Sequence, residues 1–308
     1  MNWLVLVAIA TITDSLRIFI DNYSSDVYFK GKGSVSQKLV YGYFFIITAI
    51  IGTVIIGFNP FSIPIENLLF LLLGGALSSL SGITYFRALE LDDSTNIGIF
   101  TQLAPVFYLI LGWFFLGDTF SPIQLVAFVI ILLAPFLIVF TTRKNSRKIR
   151  IRAAISAIIY VLIAVIGNII FIKAEEASSL NFVQDLLILF FGKGITGVIV
   201  VYVNPKWHKR LKYVMKKSRK KVLRPLICNF IVSLFKEFSY RGALALAPAV
   251  AIASVTSDSA EPIVIFFMGI ILTLIWPKFG REKLDRKTVL VHLIATALVV
   301  VGIVLMQM

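Results

Sequence analysis

Acidic residues, histidine and cysteine are scarce in this chain of 308 residues, which has 16 Asp and Glu, two histidines and one cysteine, Cys228. One cysteine permits no intramolecular disulfide and no cysteine-based metal site, and two histidines are too few for a clustered set of metal ligands. A Gly-rich phosphate loop is missing as well. The sequence therefore predicts no cofactor, no metal and no enzymatic activity, and we expect Cys228 to be a small buried residue.

Long apolar runs make up most of the sequence. Hydrophobic residues account for 58% and charged residues for 15%, against about 45–50% and about 25% in ordinary soluble domains. A bilayer core roughly 30 Å thick requires about 20 apolar residues for each helix that crosses it. The runs predict an all-α integral membrane protein with ten spans, at about 3–24, 37–57, 66–88, 94–115, 122–140, 153–173, 182–203, 223–246, 249–275 and 288–307.

The second half of the sequence repeats positions of the first at a nearly constant offset. Because each copy holds five spans, an odd number, the second copy must cross the membrane with opposite polarity. Inverted repeats of this kind recur in transporters, with the substrate site near the midplane. The matching positions are Ser78, Tyr85, Ala88, Leu89 and Leu91 with Ser233, Tyr240, Ala243, Leu244 and Leu246, then Pro105 and Gly112 with Pro262 and Gly269.

Basic residues are concentrated on one predicted face of the membrane. The loops after the first, fifth, seventh and ninth spans hold 24 of the 30 Lys and Arg. The positive-inside rule assigns this face to the cytoplasm, which places both termini outside and suits a plasma (inner) membrane. The basic loops are expected to contact anionic headgroups, and their distribution argues against nucleic acid as a partner. The longest loop, 205–222, is expected to be either a helix on the leaflet surface or a solvated basic loop.

Polar side chains share single helical faces of spans eight and nine. In span eight, Glu237 and Arg241 stand one turn apart and can pair, which leaves Lys236 as a candidate free cation. In span nine, Asp258 and Glu261 are candidates to load and release a proton, because low dielectric favours the uncharged carboxyl group. Each carboxylate can equally pair with a lysine, and small polar residues can serve only to pack helices.

Further candidates come from other spans. Asp14 and Arg17 share a face of span one, where Asp21 is expected to reach the interface, and Lys193 stands between two glycines of span seven. We group Asp14, Glu237, Arg241 and Lys193 with the two span-nine carboxylates as proton-coupling or charge-pairing residues. The predicted substrate-binding residues are Lys236, Tyr240, Tyr85, Ser81, Gln102, Arg17 and Asn168.

Several short motifs resemble the EamA-type ten-helix transporters of the drug/metabolite transporter superfamily. They are Tyr85-Phe86-Arg87-Ala88-Leu89-Glu90, the small-residue segment 94–102, Pro105 and Leu116-Gly117-Asp118. The second copy offers Tyr240, Ala243-Leu244 and Glu261-Pro262 in the same order. It departs from the family pattern at Ile275-Trp276-Pro277, where the family ends a copy with Leu-Gly-Glu.

The resemblance implies a first EamA-like five-helix repeat at 1–142, a basic linker loop at 143–152 and a second EamA-like repeat at 153–308, arranged around a central cavity. It also implies a secondary transporter, an exporter or exchanger of a small polar metabolite that works by alternating access, as a monomer or homodimer. The mixed charges favour an amino-acid-like substrate or another small zwitterion or anion, with proton coupling as an option. A flippase for an anionic lipid-linked intermediate remains the alternative.

Overall fold

The computed structural model describes residues 2–29, 34–91, 100, 103–142, 151–275 and 286–306. Within these ranges the regular structure is helical, and Gln102, the loop residues 143–150 and Trp276-Pro277 lie outside them. The α-helices are α1 (Trp3–Ser24), α2 (Gln37–Ile56), α3 (Ile65–Leu91), α4 (Ala104–Leu116), α5 (Pro122–Thr142), α6 (Ile151–Glu176), α7 (Phe182–Val203), α8 (Pro205–Leu246), α9 (Val250–Ile275) and α10 (Arg286–Met306).

Seven helices in the described ranges are long and apolar enough to cross a membrane, and two shorter apolar helices accompany them. Six of the seven lie within α1, α3, α6, α7, α9 and α10, and the seventh, Ser34–Ile56, consists of α2 and the three residues before it; the shorter two lie within α4 and α5. Large apolar side chains on these helices face outward, among them Val54 and Ile55, each about three-quarters exposed. A helix pairs its own backbone N–H and C=O groups, for which lipid hydrocarbon offers no hydrogen-bond partner. The chain is therefore an all-α, multi-pass integral membrane protein, as predicted.

Helix α8 differs from the prediction for its first half. It is one helix of 42 residues, about 63 Å long at 1.5 Å per residue, roughly twice the thickness of the hydrocarbon core. Its apolar residues Leu211, Val214 and Val222 are buried. The segment 205–222 is thus neither a loop nor a helix that immerses its apolar face in a leaflet. Cys228, further along α8, is exposed rather than buried.

The chain divides into two compact units. The first unit comprises residues 1–19, 94–149 and 232–308, and the second comprises 20–93 and 150–231. Helices α1 and α8 contribute residues to both units. The division does not follow the predicted repeats, because each unit takes helices from both halves of the sequence, and the repeats stay a prediction.

Glycines bring α7 into close contact with α3 in the second unit. A Cβ atom added to Gly75 would collide with the carbonyl oxygen of Leu189, and one added to Gly192 would collide with that of Leu72. Apolar side chains gain little by leaving lipid for protein, so helix association in a membrane depends on such close van der Waals packing. The two glycines therefore set the separation of α3 and α7.

The motif Leu116-Gly117-Asp118 joins two helices of the first unit. Gly117 ends α4 with a φ of 75°, a left-handed conformation that glycine adopts without a Cβ penalty. Asp118 donates its backbone N–H to the carbonyl oxygen of Gly112, at 3.3 Å. Its carboxylate accepts a hydrogen bond at 3.2 Å from the backbone N–H of Val250, the first residue of α9. The motif therefore terminates one helix and caps the start of another.

Replacing Gly75 by alanine should lower the free energy of unfolding by about 1–3 kcal/mol, the usual effect of overpacking, measured by denaturant titration in detergent. The matched control is Gly74→Ala on the same helix, where the added Cβ would lie 3.1 Å from the carbonyl oxygen of Gly167. There the better helix propensity of alanine, about 1 kcal/mol, should offset most of the crowding. Equal losses in the two variants would contradict the assignment of Gly75.

Removing the cap with Asp118→Ala should destabilise the protein by about 1 kcal/mol, since a side-chain cap typically contributes that much. The melting temperature in detergent measures the loss. Asn also caps helices well, so Asp118→Asn should retain most of the wild-type stability. A loss in Asp118→Asn as large as in Asp118→Ala would show that the charge, rather than the capping hydrogen bond, stabilises this junction.

Candidate functional site

Charged side chains of α1 and α8 meet in the first unit. One oxygen of the Asp14 carboxylate accepts from Nε of Arg17 at 2.5 Å, and the other lies 3.7 Å from Nζ of Lys236. The three side chains are only 18–21% exposed. The i, i+3 spacing places Asp14 and Arg17 on one helical face, and Lys236 approaches from α8. The expectation of a free Lys236 is therefore corrected, because this lysine shares Asp14 with Arg17.

A second ion pair lies on α8 itself. Nε of Arg241 donates to a carboxylate oxygen of Glu237 at 3.0 Å, and both side chains are buried. Their i, i+4 spacing predicts this contact, and the structure confirms it. The pair neutralises two charges that would be costly if they were separate in a low-dielectric environment.

Helix α9 adds hydroxyl and carboxylate groups to the same unit. The hydroxyl of Ser254 donates to Asp258 at 2.8 Å, and the hydroxyls of Ser257 and Thr11 lie 3.1 Å apart, which joins α9 to α1. Glu261 stands one turn beyond Asp258. It is within electrostatic range of four other charged side chains, namely Asp14, Asp258, Arg17 and Lys236.

We call Asp14, Arg17, Lys236, Asp258 and Glu261 the charged cluster. It brings together five of the predicted site residues from three helices of the first unit. Three of its members are carboxylates, yet among the described residues no group of His, Cys, Asp and Glu side chains is arranged to hold a metal ion. The arrangement instead suits organic ionic groups or a proton, which need an opposite charge rather than a closed coordination sphere.

Tyr240 borders the charged cluster. Its ring lies 4.8 Å from Nζ of Lys236, a cation–π distance, and its hydroxyl is close enough to the side chains of Tyr108 and Ser254 to interact with them. Sequence reasoning missed Tyr108 of α4, which is 2% exposed. The available signal was a lone tyrosine in an apolar run, since a buried tyrosine hydroxyl usually finds a hydrogen-bond partner.

Four predicted site residues belong to the second unit. Nζ of Lys193 lies 4.6 Å from the ring centre of Phe45, and the ring centres of Tyr85 and Tyr160 are 5.2 Å apart. Ser81 donates to the carbonyl oxygen of its helical neighbour Ser78, and Asn168 is partly buried on α6. Their part in a substrate site stays a prediction, as does that of Gln102, which lies outside the described residues.

Asp21 is buried within the protein at the end of the apolar span Trp3–Asp21, and its expected position at the membrane interface stays a prediction. It is 2% exposed, and its carboxylate accepts from the side-chain amide of Asn229 at 2.6 Å and from the hydroxyl of Tyr41 at 3.4 Å. Asn229 also donates to the Tyr41 hydroxyl at 2.8 Å. These contacts tie α1 to α2 and α8 within the second unit. The sequence did not indicate them, because Asp21 and Asn229 are 208 positions apart.

The fold and its buried ionic groups define an integral membrane protein with a polar centre, and comparison with known proteins makes the class more specific. Residues 32–140 are an EamA-like transporter domain, a family of the drug/metabolite transporter superfamily. This confirms the resemblance over that segment, which lies inside the first predicted repeat. The domain implies a membrane transporter, and the family generally does not comprise enzymes.

The fold also matches a solved structure, entitled "Crystal structure of protein", with a TM-score of 0.59. The alignment covers 97% of this chain and 96% of the other, at 11% sequence identity. A likeness at this identity shows a shared fold and no more. No curated protein matches the sequence.

The shared carboxylate of Asp14 can be tested with a double-mutant cycle. Asp14→Asn leaves Arg17 and Lys236 facing each other without their anion, and should lower the free energy of unfolding by about 1–3 kcal/mol, since removing one partner of a buried pair strands the other. Adding Lys236→Met to Asp14→Asn should recover part of this loss, with a coupling of about 0.5–2 kcal/mol. Denaturant titration of the four proteins in detergent provides the measurement, and strict additivity would argue that Asp14 and Lys236 do not interact.

Proposed function

We propose that the protein is a secondary transporter of a small polar metabolite, most simply an amino-acid-like zwitterion, and that the charged cluster binds it. The observation that carries the proposal is the single Asp14 carboxylate held between two cations, with Asp258 and Glu261 in the same unit. Ionisable groups inside a membrane protein are costly and commonly mark a substrate or proton pathway. This cluster offers both signs of charge, as a zwitterion requires.

The charge balance of the cluster suggests how substrate and proton would be linked. With every group ionised, two cations stand against three carboxylates and leave one net negative charge. Such a charge is unfavourable in a low-dielectric interior. One proton on Asp258 or Glu261 would neutralise it. The ammonium group of a bound zwitterion would compete with that proton for the carboxylate, while the substrate carboxylate, which cancels the ammonium charge, would pair with Lys236. Competition between the proton and the ammonium group for one carboxylate provides a physical basis for exchanging a proton against a zwitterion.

The anionic end of the substrate would bind through Lys236. Its contact with Asp14 is longer than that of Arg17, 3.7 Å against 2.5 Å, so Lys236 is the cation held less closely by Asp14. A substrate carboxylate would take Lys236 while Arg17 keeps Asp14 neutralised. Tyr240 would hold Lys236 in place for this contact, because its ring face attracts the ammonium group.

The proposal includes ten spans in two inverted five-helix repeats around a central cavity, with alternating access. Three pairs of helices at equivalent places in the two halves of the sequence pack against each other, which supports a relation between the halves. These pairs are α2 with α7, α4 with α9, and α5 with α10. The basic loops would be cytoplasmic and the termini outside, in a plasma (inner) membrane.

Reconstituted proteoliposomes test the proposal, after a thermal-shift screen of amino acids and related metabolites, since a ligand that binds the folded state raises apparent stability. Lys236→Met should raise the substrate concentration for half-maximal flux about tenfold or more, equivalent to about 1.4 kcal/mol. Glu261→Gln should abolish the response of flux to a pH gradient while substrate exchange persists.

Glu66→Gln is the matched control for losing a carboxylate, because Glu66 is exposed in the first turn of α3; it should transport like wild type. Wild-type flux in both Lys236→Met and Glu261→Gln would remove the charged cluster as the site. Scrambling of an anionic lipid-linked compound by the same proteoliposomes, with no flux of any soluble metabolite, would favour the flippase.

A further inference from the structure

The first part of α8, residues 205–224, carries a dense set of exposed positive charges, and we call it the basic extension. Not one Asp or Glu occurs between Pro205 and Phe235. The exposed cations have no acidic neighbour along their own helix to neutralise them. They are Lys206, Lys209, Lys212, Lys216, Arg219, Lys220, Lys221 and Arg224.

The apolar side of the basic extension is already occupied by protein. Leu211, Val214 and Val222 are no more than 6% exposed, and Trp207 packs against the cluster formed by Val35, Ile83 and Phe86. A surface helix that binds membranes by insertion needs a free apolar face, which this helix lacks. The surface left for a partner is the basic one, so any binding there must be electrostatic.

The contacts of the basic extension also place it at the level of the membrane surface. Val35 lies in the short helix Ser34–Ser36 just before α2, and Phe86 lies in the last turns of α3. Trp207 is therefore held where α2 begins and α3 ends. Nη2 of Arg210 donates to the carbonyl oxygen of Phe29, just beyond α1, at 2.8 Å. The extension is thus anchored to the ends of three helices near the headgroup region, instead of standing far into the solvent.

We propose that the exposed basic side of this extension binds the phosphate groups of anionic phospholipids in the protein's own membrane. Clusters of four to eight Lys and Arg next to a transmembrane helix attract anionic lipid, and the attraction decays within a Debye length of the surface. The basic extension has such a cluster, and it is held close enough to the membrane surface for its charges to attract anionic headgroups. Nucleic acid fits this surface less well, because a base would have to stack on an exposed aromatic ring. The exposed ring of the extension is that of Tyr213, and Arg210 already lies 5.8 Å from its centre.

Lipid selectivity measured in nanodiscs tests the proposal without reference to transport, so its failure is separate from failure of the proposed function. The protein is placed in phosphatidylcholine with about 20–30% phosphatidylglycerol, so that anionic and neutral lipid compete for the same surface. Spin-labelled versions of each lipid then report the association constant of phosphatidylglycerol relative to phosphatidylcholine. The variant replaces Lys206, Lys209 and Lys212 by Gln, and the matched control replaces the same three by Arg.

Wild type and the Arg control should prefer phosphatidylglycerol several-fold at low salt, and the Gln variant should lose at least about half of that preference. At 1 M salt, where the Debye length is about 3 Å, all three should converge. An unchanged preference in the Gln variant would overturn the proposal. So would nucleic acid or an acidic protein that copurifies with wild type, is lost from the Gln variant, and leaves the lipid preference the same.

Discussion

A carboxylate shared by two cations, Asp14 between Arg17 and Lys236, is the contact around which the polar interior of the first unit is organised. Away from water, a charge must find its counter-charge inside the protein. Asp14 supplies the counter-charge for Arg17 on its own helix and for Lys236 on α8. It therefore fixes the position of α1 against α8. Tyr240 lies against Lys236, and Asp258 and Glu261 lie within electrostatic range of the same cations.

The same two helices are joined by hydrogen bonds in the second unit. Asp21 and Asn229 stand seven residues, about two helical turns, from Asp14 and Lys236 respectively, and they too form a buried contact. One contact is ionic and the other uses an amide and a tyrosine hydroxyl. In the first unit the carboxylate of α1 is held by cations, and in the second unit it is held by neutral donors.

Features that depend on residues close together in the sequence were predictable from it. The apolar run at 182–203 coincides with Phe182–Val203, because both its ends carry turn and capping residues. The Glu237–Arg241 pair follows from helical spacing alone. The segment 205–222 was predicted to be either a surface helix or a solvated loop. It is helical, as its Lys, Arg, Leu and Met residues favour, but its apolar side is buried. Partners on different helices, such as Asp14 and Lys236, depend on packing that no local pattern encodes.

The exposed Cys228 has a practical consequence for spectroscopy. It is the sole thiol of the chain and is accessible, directly before Asn229 and between the basic extension and the charged residues of α8. A membrane-permeant thiol reagent would attach one fluorophore or spin label to the native sequence, without a cysteine-free background or any substitution. Changes in the surroundings of α8 can therefore be followed from a reporter that the protein already provides.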